Sequence, residues 1–547
     1  MNDNAIPQTQ HAVQLVGPDK LELNTEKSVP TPGPHQILAR VEAVGLCFSD
    51  LKLLKQFSDH PRKSEIVRGI DFAALSELPS YVPGEEPTVP GHEVVCDILQ
   101  VGEEVTHYSA GERVLVQADW RFLKTAGSNG AFGYNFEGGL QEYVLFDERV
   151  VVDPETDERF LVSVEKGLSS SAVCLVEPWA CVEDSYVTNE RQTVKAGGKL
   201  LVVRQDDVCC VDSVSGAFSP DGKPAEMTVM DADLEKIAEL DDQAYDDIIY
   251  FGTEKETIDA LNDKLAIQGI FNIVLCNGEI GEKVSVGVGR VHYGMTRWIG
   301  TPGCDAAESY KAIPETGEIA DGDRVMIVGA GGPMGQMHTI RTLACGKKDL
   351  KVVATDLDDS RLESLETKTR PVADANGVEY RLVNTKTNPL DEKFTYFELM
   401  APIGALVEQA IDRSMPGTRI NIFAGIPAPT RHDLDMDRYI RNGCFMFGTS
   451  GSTIEDMKIV LRKVTDGQLE TNLSVDAVSG MAGAVDGIKA VEQRTMAGKI
   501  IVYPELHELP LTPLDELGEK YPSVAEKFDE HGNWTRDAEE ELLRVAK

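Results

Sequence analysis

The chain has 547 residues, which at about 100–200 residues per domain predicts three or four domains. Its 53 Lys and Arg against 91 Asp and Glu give a formal charge of −38, which excludes electrostatic attraction to nucleic acid or to an anionic membrane. No apolar run reaches membrane-spanning length and residues 1–10 lack the features of a secretion signal, so a soluble cytoplasmic protein is expected.

The first part of the chain reads as β structure. Residues 11–185 contain short β-rich runs, such as 36–45, 93–102 and 113–119, separated by Gly and Pro turns. This pattern predicts a small barrel-like β domain. Residues 56–89 are rich in Pro, Ser and charge, which predicts a loop-like insertion over the surface.

From Gly197 onward, apolar strands alternate with helical stretches, the pattern of a parallel α/β sheet. Three blocks recur in the same order: 228–240 resembles 353–365, 256–278 resembles 405–425, and 298–303 resembles 446–451. The order predicts two tandem Rossmann-like units, roughly 197–303 and 322–451, with Asp231 opposite Asp356. Chance similarity between two α/β units stays as the alternative.

A glycine-rich loop in the second unit predicts a dinucleotide site. Residues 323–335, DRVMIVGAGGPMG, form an apolar strand that breaks into glycines before a helix, so that backbone N–H groups can reach a pyrophosphate. The predicted contacts are Ala330, Gly331, Gly332, Pro333, Met334 and Gly335, with Ala330, Gly332 and Gly335 taken as the motif frame.

The strand that follows ends in Asp356, an acid placed to accept from the adenosine ribose hydroxyls. Asp356 should repel a 2′-phosphate, which favours NAD, while the nearby Arg361 leaves NADP open. The first unit has Gln205, Asp206 and Asp207 at the end of its opening strand, and two carboxylates there oppose pyrophosphate binding. The first unit is therefore predicted to be degenerate.

Four residues of the first domain have the side chains that zinc prefers: Cys47, His92, Glu93 and Glu177. A catalytic zinc takes three protein ligands from thiolate, imidazole and carboxylate groups and keeps one position for water or substrate. Each residue taken alone has a simpler explanation: Cys47 could be a buried packing residue, His92 a turn or core histidine, and Glu177 a surface acid. Their combination indicates a metal site.

The ordered motifs G-x-C-x-S-D, P-G-H-E, G-E-R-V, G-G-L-Q-E-Y-V and E-P, followed by the nucleotide loop, resemble zinc-containing medium-chain dehydrogenases. The resemblance covers roughly 30–185 and 320–505 and is closest to the sorbitol dehydrogenase and L-sorbose 1-phosphate reductase branch. It implies an α/β plus β fold, with a GroES-like β-barrel catalytic domain over 1–190 completed by 452–510. The remaining predicted domains are a degenerate Rossmann-like unit (191–318), an NAD-binding Rossmann domain (319–451) and a C-terminal helical extension (511–547).

The same resemblance implies individual roles. Cys47 and His92 would bind zinc, with Glu93 and Glu177 binding it directly or through water, and Ser49 would pass the alcohol proton. Lys52 stands where relatives often have a proton-relaying histidine. Three further residues would border the nicotinamide, namely Ala424, Gly425 and Ile426. Lys499 would lie near the pyrophosphate.

The resemblance predicts one catalytic zinc and no structural zinc, because residues 97–173 contain no cysteine and no second ligand cluster is visible. The expected substrate is a small secondary alcohol or its ketone, such as a polyol, sugar or sugar phosphate, and a homo-oligomer is expected. Arg62, Lys63 and Arg68 either cap a phosphate or form a solvated basic patch. A zinc-dependent aldehyde or enone reductase and a non-catalytic binding or structural protein remain as alternatives.

Overall fold

The computed structural model describes residues 6–205 and 209–547. Its strands, in chain order, are β1 (Thr9–Gly17), β2 (Lys20–Ser28), β3 (Gln36–Gly45), β4 (Ile66–Arg68), β5 (Glu93–Val101), β6 (Arg113–Val116), β7 (Asp119–Thr125), β8 (Asn129–Ala131), β9 (Tyr143–Asp147), β10 (Leu161–Ser163), β11 (Lys199–Arg204), β12 (Glu226–Asp231), β13 (Tyr245–Phe251), β14 (Leu265–Val274), β15 (Val284–Val286), β16 (Arg297–Thr301), β17 (Arg324–Val328), β18 (Lys351–Asp356), β19 (Glu379–Asn384), β20 (Phe394–Leu399), β21 (Ser414–Ile422), β22 (His432–Leu434), β23 (Phe445–Phe447), β24 (Val475–Ser479), β25 (Lys499–Val502) and β26 (Thr512–Pro513).

The α-helices are α1 (Phe48–Gln56), α2 (Phe72–Ser76), α3 (Glu148–Val151), α4 (Ser170–Cys174), α5 (Val176–Val187), α6 (Leu234–Ala238), α7 (Lys255–Leu261), α8 (Val288–Tyr293), α9 (Ala306–Lys311), α10 (Pro333–Leu343), α11 (Asp359–Asn376), α12 (Gly404–Asp412), α13 (Met436–Arg441), α14 (Ile454–Thr465), α15 (Met481–Gln493), α16 (Leu514–Lys520), α17 (Pro522–Ala525) and α18 (Arg536–Val545). None of the described helices is long and apolar enough to cross a membrane.

The chain divides into two compact units, unit 1 with Met1–Ala180 and Ser452–Lys547, and unit 2 with Cys181–Gly451. Unit 1 is built on a mixed sheet in the order β10-β6-β5-β3-β25-β24-β26, with β9 also paired to β3. Strand β3 is buried along nearly its whole length because β5, β9 and β25 all pair with it. The start of β5 and the end of β3 lie side by side, with Gly45 opposite Glu93.

The predicted C-terminal extension is part of unit 1. Thr512 pairs with Val478 of the main sheet, and α18 carries a buried carboxylate, Glu539, back to α4. This carboxylate accepts the backbone N–H groups of Ser170 and Ser171 at 2.5 and 2.8 Å. Because these N–H groups open a helix and have no partner within it, the contact fixes the tail to the body of the unit.

The stretch 56–89, predicted as a surface loop, is partly internal. It contains β4 and α2, and Lys63 is fully buried, where its ammonium donates to the backbone carbonyl oxygens of Val82 and of Glu86, the latter at 2.8 Å. Carbonyl partners offset part of the cost of burying an ammonium group, and burial still lowers the pKa of Lys63 to about 8. The prediction was wrong because charge and proline content do not reveal such pairing.

Unit 2 contains one eleven-stranded sheet in the order β12-β11-β13-β14-β16-β23-β21-β20-β17-β18-β19. Buried runs such as Leu200–Val203 in β11 and Val352–Ala354 in β18 are apolar on both faces, as parallel strands covered by helices require. The strand order β12-β11-β13-β14-β16 repeats as β18-β17-β20-β21-β23, so the two halves have the same topology.

The two halves meet at a local two-fold axis. Trp298 of β16 pairs antiparallel with Met446 of β23, and Ser285 of β15 pairs antiparallel with Asp433 of β22. The sequence numbers differ by the same amount in both pairs, since 446 minus 298 and 433 minus 285 each give 148. Equivalent positions of the repeat therefore contact each other. One hydrophobic core runs through both halves, so the predicted domains 191–318 and 319–451 form a single unit.

Candidate functional site

Three of the predicted zinc ligands converge in unit 1. Cys47 is the N-cap residue of α1, His92 directly precedes β5, and Glu93 is the first residue of β5. One donor atom from each residue lies within 4.8 Å of the other two. His92 and Glu93 are buried, whereas Cys47 is partly exposed, so the cluster is open to solvent on the thiol side.

Asp50 holds the imidazole of the cluster in place. Its Oδ1 lies 2.9 Å from Nδ1 of His92, and its Oδ2 accepts the backbone N–H of Cys47 at 3.2 Å. Burial alone would lower the pKa of His92, but the charge and hydrogen bond of Asp50 outweigh burial and raise this pKa well above its ordinary value. The contact leaves Nε2 of His92 directed toward Cys47 and Ser49, as a metal-ligating imidazole requires.

Ser49 lies at the centre of the cluster. Its Oγ donates to Sγ of Cys47 at 3.0 Å and lies 3.2 Å from Nε2 of His92. A hydroxyl in contact with both donor atoms would contact any substrate oxygen bound beside them. Lys52, one turn later on α1, is exposed to solvent.

Glu93 is fully buried and has two different carboxylate oxygens. Oε1 accepts from the ammonium of Lys499 at 2.5 Å, while Oε2 is buried and has no hydrogen-bond partner among the described residues. A buried carboxylate oxygen without a partner is costly, and a cation beside it would remove the cost. This orphaned oxygen, together with the thiol and imidazole donors, fits a zinc ion.

Lys499 lies beside the cluster. Its ammonium donates to Glu93 and to the backbone carbonyl oxygen of Leu46, the latter at 2.7 Å, both in unit 1. Burial alone would lower the pKa of this ammonium, but the charges of Glu93 and Cys47 outweigh it and raise the pKa. These two contacts engage the ammonium within unit 1, and its predicted place near the pyrophosphate stays a prediction.

Glu177, on α5, is buried close to the same cluster but is not one of the three converging donors. Burial raises its pKa to about 7, with Glu93 adding to the rise and His92 opposing it. A carboxyl group that titrates near neutrality can approach a metal as an anion or stand off as an acid. The structure therefore gives Glu93 the more direct position of the two.

The wall beside the cluster was not predicted. Arg62 forms an ion pair with Asp119 at 2.7 Å and lies 5.3 Å from the ring centroid of Tyr134, which in turn is 6.0 Å from the ring of His92. Burial lowers the pKa of His60 to about 4, so this imidazole, 5.1 Å from the Tyr134 ring, is neutral at pH 7. Arg62 is thus part of the site wall and not a member of a solvated patch.

The nucleotide loop of unit 2 lies between β17 and α10. Gly329 has φ +83°, so the glycine that the turn requires is Gly329, one residue before the Ala330 assigned by the sequence. A Cβ on Gly335 would lie 2.3 Å from the carbonyl oxygen of Gly329, which shows how closely the helix approaches the loop. Gly332 is the N-cap of α10, and a Cβ on it would meet nothing within 4 Å.

Asp356 ends β18 beside this loop. Its Oδ2 accepts the backbone N–H of Gly331 at 2.9 Å, and its Oδ1 accepts that of Leu357 at 2.7 Å. A Cβ on Gly331 would lie 2.7 Å from Cβ of Arg361, so the acid and the arginine flank the same glycine. The structure thus brings Gly331, Asp356 and Arg361 together.

Two exposed apolar side chains near this edge were missed. Leu357 directly follows Asp356 and is 65% exposed, and Ile403 follows β20 and is 54% exposed. Large apolar side chains left in water beside a nucleotide loop are suited to a flat aromatic base.

The predicted nicotinamide border follows the end of β21. Ala424 and Ile426 are buried. A Cβ on Gly425 would lie 2.5 Å from the hydroxyl oxygen of Tyr293, so α8 of the first half reaches this loop.

The first half of unit 2 lacks such a loop among its described residues. Arg204 forms an ion pair with Asp231 at 2.6 Å, which occupies the acid that matches Asp356. Gln205 accepts the backbone N–H of Thr253 at 2.9 Å. The other two residues of the prediction, Asp206 and Asp207, lie outside the described residues.

These geometries agree with comparisons to known proteins. Residues 33–155 match the alcohol dehydrogenase GroES-like domain. Over part of its length, this chain is similar to zinc-type alcohol dehydrogenases.

Relatives include the Escherichia coli zinc-type alcohol dehydrogenase-like protein YphC, 27% identical over 26% of this chain and 40% of that protein. L-sorbose 1-phosphate reductase of Klebsiella pneumoniae is 23% identical over 56% of this chain and 78% of its own length. Crystalline 2R,3R-butanediol dehydrogenase of Bacillus subtilis aligns over 91% of this chain and all of its own length, with 14% identity and a TM-score of 0.51, which shows the fold. The chain spans about 40 to 57% of the length of several curated relatives it matches.

Proposed function

We propose that the chain is a zinc-dependent and NAD-dependent oxidoreductase that interconverts a secondary alcohol, such as a polyol or sugar, with its ketone. The convergence of the Cys47, His92 and Glu93 donors around the Ser49 hydroxyl carries this proposal. Thiolate, imidazole and carboxylate form a catalytic ligand set that leaves a position for substrate.

Zinc would be held by Cys47, His92 and Glu93, with Glu177 as an alternative carboxylate. When bound, zinc would polarise the substrate oxygen and lower its pKa, and a bound nicotinamide would supply the hydride acceptor for the carbinol carbon. Lys499 offsets the charge that Glu93 brings to the site. Asp50 keeps the His92 imidazole oriented.

Ser49 accounts for the proton. The alcohol hydroxyl loses H⁺ while its carbon loses H⁻, so the Ser49 hydroxyl would accept the first proton and pass its own toward solvent. Lys52 lies exposed one turn later on the same helix, and the proton would leave past it to water. Its charge would also favour loss of the proton from the alcohol.

The cofactor would bind unit 2, with its pyrophosphate at the start of α10 and its ribose at Asp356. The contact set is Ala330, Gly331, Gly332, Pro333, Met334 and Gly335. Leu357 and Ile403 would flank the adenine. An anionic Asp356 disfavours a 2′-phosphate, so NAD is preferred over NADP. Ala424, Gly425 and Ile426 would border the nicotinamide.

The first half of unit 2 would not bind a dinucleotide. Its Arg204 is already paired with Asp231, and the sequence continues after Gln205 with two acids, Asp206 and Asp207, where the second half has glycines. The first half is thus a degenerate Rossmann-like unit that supports the sheet.

A neutral polyol or sugar suits the site wall better than a sugar phosphate. Of the three basic residues of the insertion, Arg62 is paired with Asp119 and Lys63 with backbone carbonyls, and Arg68 is exposed. A guanidinium already neutralised by a carboxylate has little attraction left for a phosphate. Because L-sorbose 1-phosphate reductase is among the relatives, a sugar phosphate is the compound to test beside the neutral sugar.

The decisive experiment measures NADH formation by zinc-loaded protein on matched polyols, polyol phosphates and primary alcohols, and NADH consumption with ketones and enones. Activity should appear with secondary alcohols, and Cys47→Ala should lose both zinc and activity. Ser49→Ala should keep zinc and lose turnover, while Ser58→Ala serves as a control on a nearby hydroxyl. Undiminished zinc in Cys47→Ala would contradict the ligand assignment. Zinc binding without turnover on any substrate would favour a binding protein.

A further inference from the structure

A second cluster of metal-ligating side chains lies in unit 1, apart from Cys47. His11 belongs to β1, Glu142 immediately precedes β9, and His507 follows β25. One donor atom of each lies within 4.8 Å of the other two. No spacing in the sequence connects them, so the expectation that no second ligand cluster exists was wrong.

Glu142 is the centre of this cluster. Its Oε1 lies 2.9 Å from Nε2 of His507, and its Oε2 lies 3.4 Å from Nδ1 of His11. The backbone N–H of His11 also donates to Oε2 at 2.7 Å, which fixes the carboxylate. The two imidazole rings are 3.9 Å apart between centroids. Both histidines thus face one anchored carboxylate.

One ring nitrogen of this cluster needs a partner. Nδ1 of His11 is buried and makes no hydrogen bond among the described residues, because its approach to Glu142 has the wrong geometry. A buried imidazole nitrogen without a partner costs free energy that a cation would recover. Two imidazolium ions at this ring separation would also repel each other, which disfavours the explanation by two simple ion pairs.

We propose that His11, Glu142 and His507 form a second metal site for a divalent ion of the zinc class. Two imidazoles and one carboxylate are ligands that zinc and its first-row neighbours accept, and three protein ligands leave room for water. The His507 side chain is 40% exposed, so the ion can enter from solvent. The site would link β1, the residue before β9 and the segment after β25.

The test counts and distinguishes the ions, using full-length protein without a polyhistidine tag, stripped with a chelator and titrated with Zn²⁺ and with Co²⁺. Wild type should bind two ions, only one of which gives the thiolate-to-cobalt charge-transfer band. His507→Gln should lose the ion without that band and keep the other. Cys47→Ser should lose the ion that gives the band and keep the ion without it.

His531→Gln is the matched control, because His531 is equally exposed and faces a single acid, Glu530, at 3.6 Å. This control should leave both ions in place, whereas His507→Gln should raise the dissociation constant of the second ion by at least about tenfold. Zinc should raise the melting temperature of Cys47→Ser but not of Cys47→Ser combined with His507→Gln. If His507→Gln folds poorly, His11→Gln replaces it. A wild type that binds no ion other than the one with the thiolate-to-cobalt band, or full retention of the ion without that band in both His507→Gln and His11→Gln, would overturn the proposal.

Discussion

Replacing Asp50 by Asn is a sharp test of the metal site because Asp50 contacts two of its parts at once. One carboxylate oxygen holds the His92 ring at 2.9 Å and the other accepts the Cys47 backbone N–H at 3.2 Å. An amide has one accepting oxygen where a carboxylate has two. In Asp50→Asn the side-chain amide oxygen can keep only one of the two contacts. At the other contact, the amide N–H of the new side chain faces the N–H of His92 or of the Cys47 backbone.

The expected loss follows from this geometry. Outer-shell partners of metal-ligating histidines are worth about 10–100-fold in metal affinity, or about 1.4–2.7 kcal/mol. Asp50 also holds a proton on His92 in the metal-free protein, which works against metal binding. Zn²⁺ carries twice the charge of that proton, so removing the carboxylate weakens zinc more than it weakens the proton. The net effect should be a weaker site.

Zinc affinity is measured by competition with a chromophoric chelator at one pH for wild type and Asp50→Asn. Asp97→Asn is the control, because Asp97 lies on β5, the strand that directly follows His92, and its contact is with Arg40 at 2.8 Å. The dissociation constant should rise about 10–100-fold in Asp50→Asn only. Equal zinc affinity in a variant with an unchanged circular dichroism spectrum would refute the role of Asp50.

Two further outcomes concern unit 2. Calorimetric titration should give about one dinucleotide per chain, and Gly332→Asp should abolish it because a carboxylate would stand where the pyrophosphate binds; two comparable sites would contradict this. Burial raises the pKa of Glu398 to about 7, above its unfolded value, so its contribution to folding stability is lost as pH rises from about 4.5 to 7, by about 3 kcal/mol. Urea unfolding of Glu398→Gln should be flatter across that range than wild type, whereas the exposed-acid control Glu379→Gln should follow wild type.

The sequence reveals those parts of the site that depend on local spacing. Cys47 and Ser49 lie within one turn at the start of α1, and His92 and Glu93 are adjacent. Each pair therefore forms a short sequence motif that can be recognised. Lys499 is 406 residues from Glu93 in the sequence, yet its ammonium lies 2.5 Å from that carboxylate. No local sequence pattern predicts this contact, because it depends on how the strands pair. Such partners are fixed by sheet topology.

Composition misleads where a charged group is paired in the interior. Lys63 and Arg62 occur in a stretch rich in proline and charge, which is typical of a surface loop, yet one is buried on carbonyls and the other is paired with Asp119. The cost of burying a charge depends on its partners, and the partners lie in residues that the local sequence does not contain. The cluster of His11, Glu142 and His507 was not predicted for the same reason, because its three residues lie far apart in the sequence.

The internal repeat, which the sequence does reveal, has a consequence for assembly. Strand β23 is the last strand of the second half of the sheet. One of its edges pairs with β21, and the other pairs with β16 of the first half. A second copy of the chain therefore cannot extend the sheet at that strand, because its hydrogen-bonding groups are used. The edges of the described sheet are β12 and β19. Strand β12 is exposed over Glu226–Val229, including two large apolar side chains, so any homo-oligomer built through this sheet must use an outer edge and not the two-fold axis between the halves.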